Sequence, residues 1–216
     1  MRIIALTGTI ASGKSTASKL LKFMRYDVFE SDKIAAKLLN KKKVINELSS
    51  LYETKIPDLL LKNKKINKVA LSDYVFSEKK RIKKLEQYLH PKIRDEEQRF
   101  LNICSLNRKK LVFLDIPLLF DNPFNKRCDY VIKMTVNRKI QYYRAMKRPN
   151  MNYEKFKFIL KKQSVYLSKS TKFKITVVNS GNGKFHVLKN ILRVINIVKN
   201  SNSRCVWPRS YNHILK

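Results

Sequence analysis

The chain is expected to be an α/β protein, a parallel sheet covered by helices. Apolar strand candidates recur along it with helical patterns between them, the alternation that builds such sheets. The first candidate runs straight into Gly8-Thr9-Ile10-Ala11-Ser12-Gly13-Lys14-Ser15, which fits the phosphate-binding pattern G-x-x-x-x-G-K-[ST] at every fixed position. A hydrophobic content of 44% over 216 residues suffices for a core.

The first strand candidate, Arg2–Thr7, is short, apolar and rich in branched residues, as a buried parallel strand should be. The chain has four glycines, and two of them sit in the loop that follows. A loop wrapping a triphosphate must bring its backbone close to the oxygens, and glycine permits that approach. The helix after the loop would turn its partially positive end to the phosphates. Lys14 would reach the β- and γ-phosphates, and the Ser15 hydroxyl would hold Mg²⁺. Ala17, Leu20, Leu21 and Met24 recur at helical spacing, so strand, loop and helix follow in the required order.

The remaining strand candidates are Tyr26–Phe29, Leu111–Ile116, Tyr130–Thr135 and Ile175–Val178. The long interval from Ser31 to Lys110 reads as mostly helical, with a stripe of Ile82, Leu85 and Leu89 ended by Pro91. It is too long for a crossover and is expected to be an inserted helical substrate-binding region. Leu188, Ile191, Leu192 and Ile195 suggest a last packing helix up to Val198. The segment from Ser201 to Lys216, with the lone Trp207, reads as a poorly ordered tail.

Four sets of residues could carry chemistry. Asp32 follows the second strand candidate, at the carboxyl end where ligands bind in such sheets. It could orient an attacking hydroxyl or accept its proton, and it could equally cap the helix that begins at Ile34. Asp115 ends an apolar strand, where it could hold Mg²⁺ through water near Ser15 or brace the loop. Arg144 and Arg148 are spaced to share one helical face with Gln141, in a helix ended by Pro149. Two guanidinium groups there suit a lid over a triphosphate, although taken alone the spacing favours a solvated face. His90, ahead of Pro91 and Arg94, reads alone as structural; His186 and His213 have no evident partners.

The formal charge is +32. Lysines outnumber arginines and spread along the whole chain, so composition bias is the favoured reading over a nucleic-acid surface. Nucleic acid is not expected as a specific partner, although the field should draw in anionic substrates. No apolar run approaches the roughly 20 residues of a membrane helix, and no secretion signal is evident. Three cysteines without metal spacing point to reduced thiols and a cytoplasmic protein.

Together these residues resemble the dephospho-coenzyme A kinase family, from Arg2 to about Gly181. Leu6 to Thr16 looks like that family's phosphate loop. Glu30-Ser31-Asp32 falls where the family has Asp-Ala-Asp, whose second aspartate is the proposed base. His90-Pro91-Lys92-Ile93-Arg94 is similar to the family's His-Pro-x-x-Arg. Asp115-Ile116-Pro117-Leu118-Leu119-Phe120-Asp121 resembles Asp-x-Pro-Leu-Leu-Phe-Glu, the most specific segment. Gln141-x-x-Arg144-x-x-x-Arg148 matches the lid helix, Gln163 a later glutamine, and Asn179-Ser180-Gly181 an Asn-x-Gly near the adenine of ATP.

The resemblance implies a P-loop kinase core with a five-stranded parallel sheet flanked by helices, an inserted helical substrate domain and a short lid. The core would comprise 1–30 and 111–200, the insert 31–110, the lid 137–153 and the tail 201–216. ATP would be bound by Ala11, Ser12, Gly13, Lys14, Ser15, Thr16 and Asn179, with Mg²⁺ on Ser15 and Asp115. Dephospho-coenzyme A would be met by Asp32, His90, Arg94 and Pro117, with Lys14, Asp32, Arg144 and Arg148 catalytic. Another P-loop kinase of small molecules or nucleotides is the nearest alternative, and a basic nucleic-acid-binding protein with ATP as a ligand is the alternative from another class. The family usually has glycine where this chain has Thr9 and Ala11, an aspartate at Glu30 and Lys174, and an acidic residue at Val178.

Overall fold

The structure, a computed structural model, describes residues 1–52, 54–116, 128–167 and 174–201. The chain divides into two compact units: Met1–Glu30 with the chain from Leu101 onward, and Ser31–Phe100.

The first unit is built on a five-stranded sheet of β1 (Arg2–Gly8), β2 (Val28–Glu30), β3 (Leu111–Asp115), β4 (Tyr130–Thr135) and β5 (Ile175–Asn179), in the order β2-β3-β1-β4-β5. Every pairing is parallel. β1 is central, and Ile3, Ile4, Ala5 and Leu6 are fully buried, because a parallel sheet is covered on both faces. Register sets the carboxyl edge: Leu6 and Glu30 each pair with Asp115, Gly8 with Met134, and Thr135 with Asn179. Ligands of open α/β sheets bind along that edge.

Helix α1 (Lys14–Phe23) follows the loop after β1. Its Ala17 and Leu21 join Ile4, Leu6, Phe113, Ile132, Met134 and Val178 in the main core. Helix α8 (Gly183–Asn200) completes that core with Val187, Ile191, Val194, Ile195 and Val198. The sequence pattern placed this helix at Leu188–Val198 with Leu192 inward. Leu192 is 47% exposed instead, and the buried set follows the 3.6-residue period from Val187.

The second strand also departs from expectation, starting at Val28 rather than Tyr26. The Tyr26 N–H returns to Leu21 O at 3.0 Å and the Arg25 N–H to Lys22 O at 2.9 Å, with Arg25 at φ 61. That is a Schellman end to α1, so Tyr26 is spent on closing the helix.

The second unit contains α2 (Ser31–Leu38), α3 (Lys42–Tyr52), α4 (Lys68–Phe76) and the start of α5 (Lys79–Leu106). Helix α3 buries Val44, Leu48 and Tyr52, and α4 buries Leu71 and Val75. Tyr52 meets Tyr74 edge to face at 5.9 Å. The Asn67 side chain caps α4 by accepting from the Val69 and Ala70 N–H groups. Pro91 does not end α5, as the sequence suggested; the helix continues to Leu106. Proline there removes the hydrogen bond to the Gln87 carbonyl and crowds that carbonyl with its ring. Both residues are exposed, so water can satisfy that carbonyl. No helix among the described residues is long and apolar enough to cross a membrane.

Candidate active site

The site in the first unit is assembled around the loop between β1 and α1. Gly8 has φ +150, and a Cβ there would lie 2.6 Å from Met134 O and 2.6 Å from Ser12 Oγ. Gly13 caps α1 with φ 94 in the left-handed region, and its Cβ would meet Ser180 Cβ at 2.6 Å. Both fixed glycines of the motif are therefore required by close approach as well as by backbone conformation. The turn between them is closed by the Ser12 N–H donating to Thr9 O at 3.1 Å. Ser12 Oγ is buried and has no hydrogen-bond partner in the structure.

Lys14 opens α1 and donates to Asp115 Oδ1 at 3.1 Å. The Ser18 hydroxyl, one turn further along α1, donates to Asp115 Oδ2 at 2.6 Å. Asp115 sits on the carboxyl edge of β3 and is 7% exposed. Its carboxylate thus braces the first turn of α1, and Ser18 is a member of the site that sequence reasoning missed. The i,i+4 spacing puts Lys14 and Ser18 on one helix face, but nothing local shows that both meet Asp115. Ser15 and Thr16 stand in that first turn, with Ser15 exposed. Glu30, at the end of β2, pairs with Lys22 of α1.

Helix α6 (Arg138–Met146) follows β4, and α7 (Tyr153–Leu167) comes after it. Arg144 donates to Ser180 Oγ at 2.7 Å and to Ser180 O at 3.2 Å. Ser180 is 5% exposed and lies against Gly13. It too was missed, because its importance comes from contacts rather than from any local pattern. Arg144 and Arg148 do not share a helix face. The helix stops at Met146, and Arg148 lies in the following turn, where its N–H bonds to Ala145 O at 3.0 Å. A residue before proline is disfavoured in the helical region, so Pro149 acts on the chain before it is reached. The Arg148 side chain is exposed.

Asn179 ends β5 and caps the short 3₁₀ helix Ser180–Asn182, accepting from the Gly181 N–H at 2.9 Å. Gln141 and Gln163 both contact the loop. The Gln141 Nε2 donates to Thr9 Oγ1 and Ile10 O, and Gln163 Oε1 accepts from the Ile10 N–H.

The other predicted residues belong to the second unit. Asp32 is exposed in the first turn of α2, directly after β2. His90 and Arg94 share a face of α5 at i and i+4 because the helix passes through Pro91. Their stretch of α5 is pinned to α3. The Tyr88 hydroxyl donates to Glu47 Oε2, and Lys92 pairs with the same oxygen at 3.0 Å. Those bonds, Tyr88 first, hold the Glu47 carboxyl below its ordinary range. Burial, and then the hydrogen bond to Glu47, raise the Tyr88 hydroxyl well above its own. Pro117 and the segment up to Asp121 lie outside the described residues, as do Trp207 and the tail beyond Ser201.

Oxygen donors of a hydroxyl and a carboxylate, as on Ser15 and Asp115, suit Mg²⁺. Among the described residues no group of three or more His, Cys, Asp or Glu could hold a metal ion. A cation held by a few protein oxygens plus substrate phosphates fits this donor set, since Mg²⁺ is usually bound that way.

The dephospho-CoA kinase family model matches residues 2–184. A dephospho-CoA kinase of Bartonella quintana is 34% identical over 201 residues, 93% of this chain and 100% of the relative. A Thermus thermophilus protein of known crystal structure is 27% identical, with TM-score 0.71 over 93% of this chain and 98% of that one. A dephospho-CoA kinase from Campylobacter jejuni is 27% identical, with TM-score 0.61 over 91% of this chain and 97% of that one.

Proposed function

The chain belongs to the dephospho-CoA kinase family, and from that premise we propose how it carries out the ATP-dependent phosphorylation of dephospho-CoA, a step of coenzyme A biosynthesis. The acceptor is the ribose 3′-hydroxyl. Its oxygen forms a bond to the γ-phosphorus while the bond from that phosphorus to the β,γ-bridging oxygen breaks, releasing ADP and CoA. The hydroxyl proton passes to Asp32. The observation that carries this reading is the family match over residues 2–184.

The loop geometry supports ATP as the donor. The backbone from Ala11 to Thr16 and the first turn of α1 would face the phosphates, and Asn179 would lie on the adenine side. Ser12 Oγ, buried without a partner, would find an acceptor in a phosphate oxygen. Lys14 would exchange the Asp115 carboxylate for the β- and γ-phosphates, as a cation held by one acceptor can. Ser15 and Asp115 would hold Mg²⁺, which when bound neutralises charge on the β- and γ-phosphate oxygens. Arg144 is already gripped near Gly13 through Ser180 and would meet the transferring group, with Arg148 closing from the turn of a lid spanning 137–153.

The insert, 31–110, would hold the acceptor. His90 and Arg94 on one face of α5 suit its phosphates, and Pro117 would border it. Catalysis rests on positioning, charge neutralisation and exclusion of water more than on proton abstraction. A coupled ADP-release assay over a panel of acceptors tests the reading. Release with dephospho-CoA and none with nucleoside monophosphates is expected; the reverse pattern would point to a nucleotide kinase instead.

A further inference from the structure

We propose that Gln141 and Gln163 are positioning residues that clamp the phosphate loop from outside and hold its Thr9–Ser12 turn in the ATP-binding shape. The inference rests on the reading of this loop as the ATP site. It deepens that reading by assigning work to two residues that need not touch the nucleotide.

The turn is a demanding one for this chain. It is closed by the Ser12 N–H on Thr9 O at 3.1 Å, and its third residue, Ala11, has φ 57. Turns with positive φ at that position favour glycine or asparagine, because a Cβ crowds the backbone there. Such a residue persists when its surroundings over-determine it.

The surroundings here come from α6 and α7. The N–H and C=O of Ile10 offer one donor and one acceptor, and each is taken by a side-chain amide. Gln163 Oε1, on α7, accepts from the Ile10 N–H at 2.6 Å. Gln141 Nε2, on α6, donates to Ile10 O at 2.7 Å and to Thr9 Oγ1 at 2.8 Å. Each amide presents the group its partner demands, oxygen to N–H and N–H to oxygen. Gln141 is 4% exposed, so its bonds cannot be traded for water without cost. Apolar packing acts at the same place. The Ile10 and Ala11 side chains enter a cluster of Ala145, Phe156 and Leu160 from the same two helices. Thr9 takes part through a hydroxyl that a glycine would lack.

The test uses the full chain with Gln141→Ala, Gln163→Ala, Ala11→Gly, and Gln163→Ala combined with Ala11→Gly. MgATP affinity is measured by calorimetry, and KM is determined separately for ATP and for dephospho-CoA. Each glutamine variant is expected to weaken ATP binding by about 5- to 20-fold, the range for a lost buried hydrogen bond, with acceptor KM within about twofold of wild type. Adding Ala11→Gly to Gln163→Ala should recover a large part of the loss, because glycine accepts the left-handed conformation unaided. Thermal melts register folding; a change that only destabilised the protein would lower kcat and leave both KM values in place. Should Gln141→Ala fail to fold, the half-buried Gln163 carries the test. ATP affinity unchanged in Gln163→Ala, or a loss that Ala11→Gly leaves untouched, overturns the clamp. Wild-type protein that binds ATP but releases no ADP with dephospho-CoA would instead overturn the acceptor assignment and leave the affinity comparison standing.

Discussion

Gly13→Ala tests the loop most directly, because two separate costs can be read from the structure. Gly13 has φ 94, a conformation that strains any residue with a Cβ by roughly 1–3 kcal/mol. The added methyl would also stand 2.6 Å from Ser180 Cβ and 2.7 Å from its Oγ. Ser180 cannot simply turn away, since Arg144 holds both its hydroxyl and its carbonyl. Forcing a carbon into a packed contact of this kind costs roughly 1–3 kcal/mol more. The sum, near the middle of both ranges, is roughly 4 kcal/mol and translates into a fall of roughly 8–16 °C in Tm for a chain of this size. Thermal unfolding followed by circular dichroism reads that shift, and the KM for ATP should rise because the displaced segment carries Arg144's partner. Ser180→Gly then separates the two costs. Combined with Gly13→Ala it removes the clash and leaves the strain, so about half of the lost stability should return. A Gly13→Ala protein that melts with the wild type would refute the packing argument, and no recovery in the double variant would refute its steric half.

Three further outcomes follow from the site and the core. Lys14→Ala should reduce turnover in the ADP-release assay by about 10²–10³-fold, the scale for removing one group that stabilises developing charge; near-normal turnover would remove the loop lysine from the reaction. Asp32→Asn should lower kcat more than it raises the KM for dephospho-CoA, by about 10²-fold for a lost base. Steady-state kinetics showing a wild-type kcat would exclude that role. Burial pushes the Cys104 thiol up to about 11, so at pH 8 only about a thousandth of it is thiolate. Peptide mapping after alkylation should find Cys104 unmodified in native protein and labelled in denaturant. The sign follows from the raised value: the buried thiol's contribution to stability persists below the ordinary thiol pKa of about 8.5 and is lost as pH climbs toward 11.

What could be read from the sequence was what neighbours in the chain decide together. The strand β1, the loop and the start of α1 are specified by residues within one turn or one strand of each other, and the alternation of apolar runs placed all five strands. Where boundaries slipped, backbone bonding at an element's end, which apolar periodicity does not register, was responsible. Tyr26 was given to closing α1, and α5 ran past Pro91 because its freed carbonyl faces solvent. The loop's supports were harder to see for a different reason, the distance along the chain. Gln163 lies 153 residues from Ile10, Ser18 97 residues from Asp115, and Arg144 36 residues from Ser180. No spacing rule spans such distances. The resemblance to a family marked Gln141 and Gln163 as positions to notice without giving them work.

The substitutions at Thr9 and Ala11 carry the argument further than the motif does. The pattern tolerates any residue at either place, so a sequence reading treats both as neutral. The structure makes neither neutral. Ala11 occupies a left-handed turn position at φ 57, which raises the cost of the loop's shape by about 1 kcal/mol or somewhat more relative to glycine. Thr9 supplies a hydroxyl that accepts one of the two bonds of the Gln141 amide. A loop with fewer glycines has fewer unfolded-state conformations to lose, which offsets part of the strain. The rest is met by packing Ile10 and Ala11 against α6 and α7. Local backbone freedom has thus been exchanged for tertiary support, and the stiffness of this phosphate loop depends on helices more than 130 residues downstream.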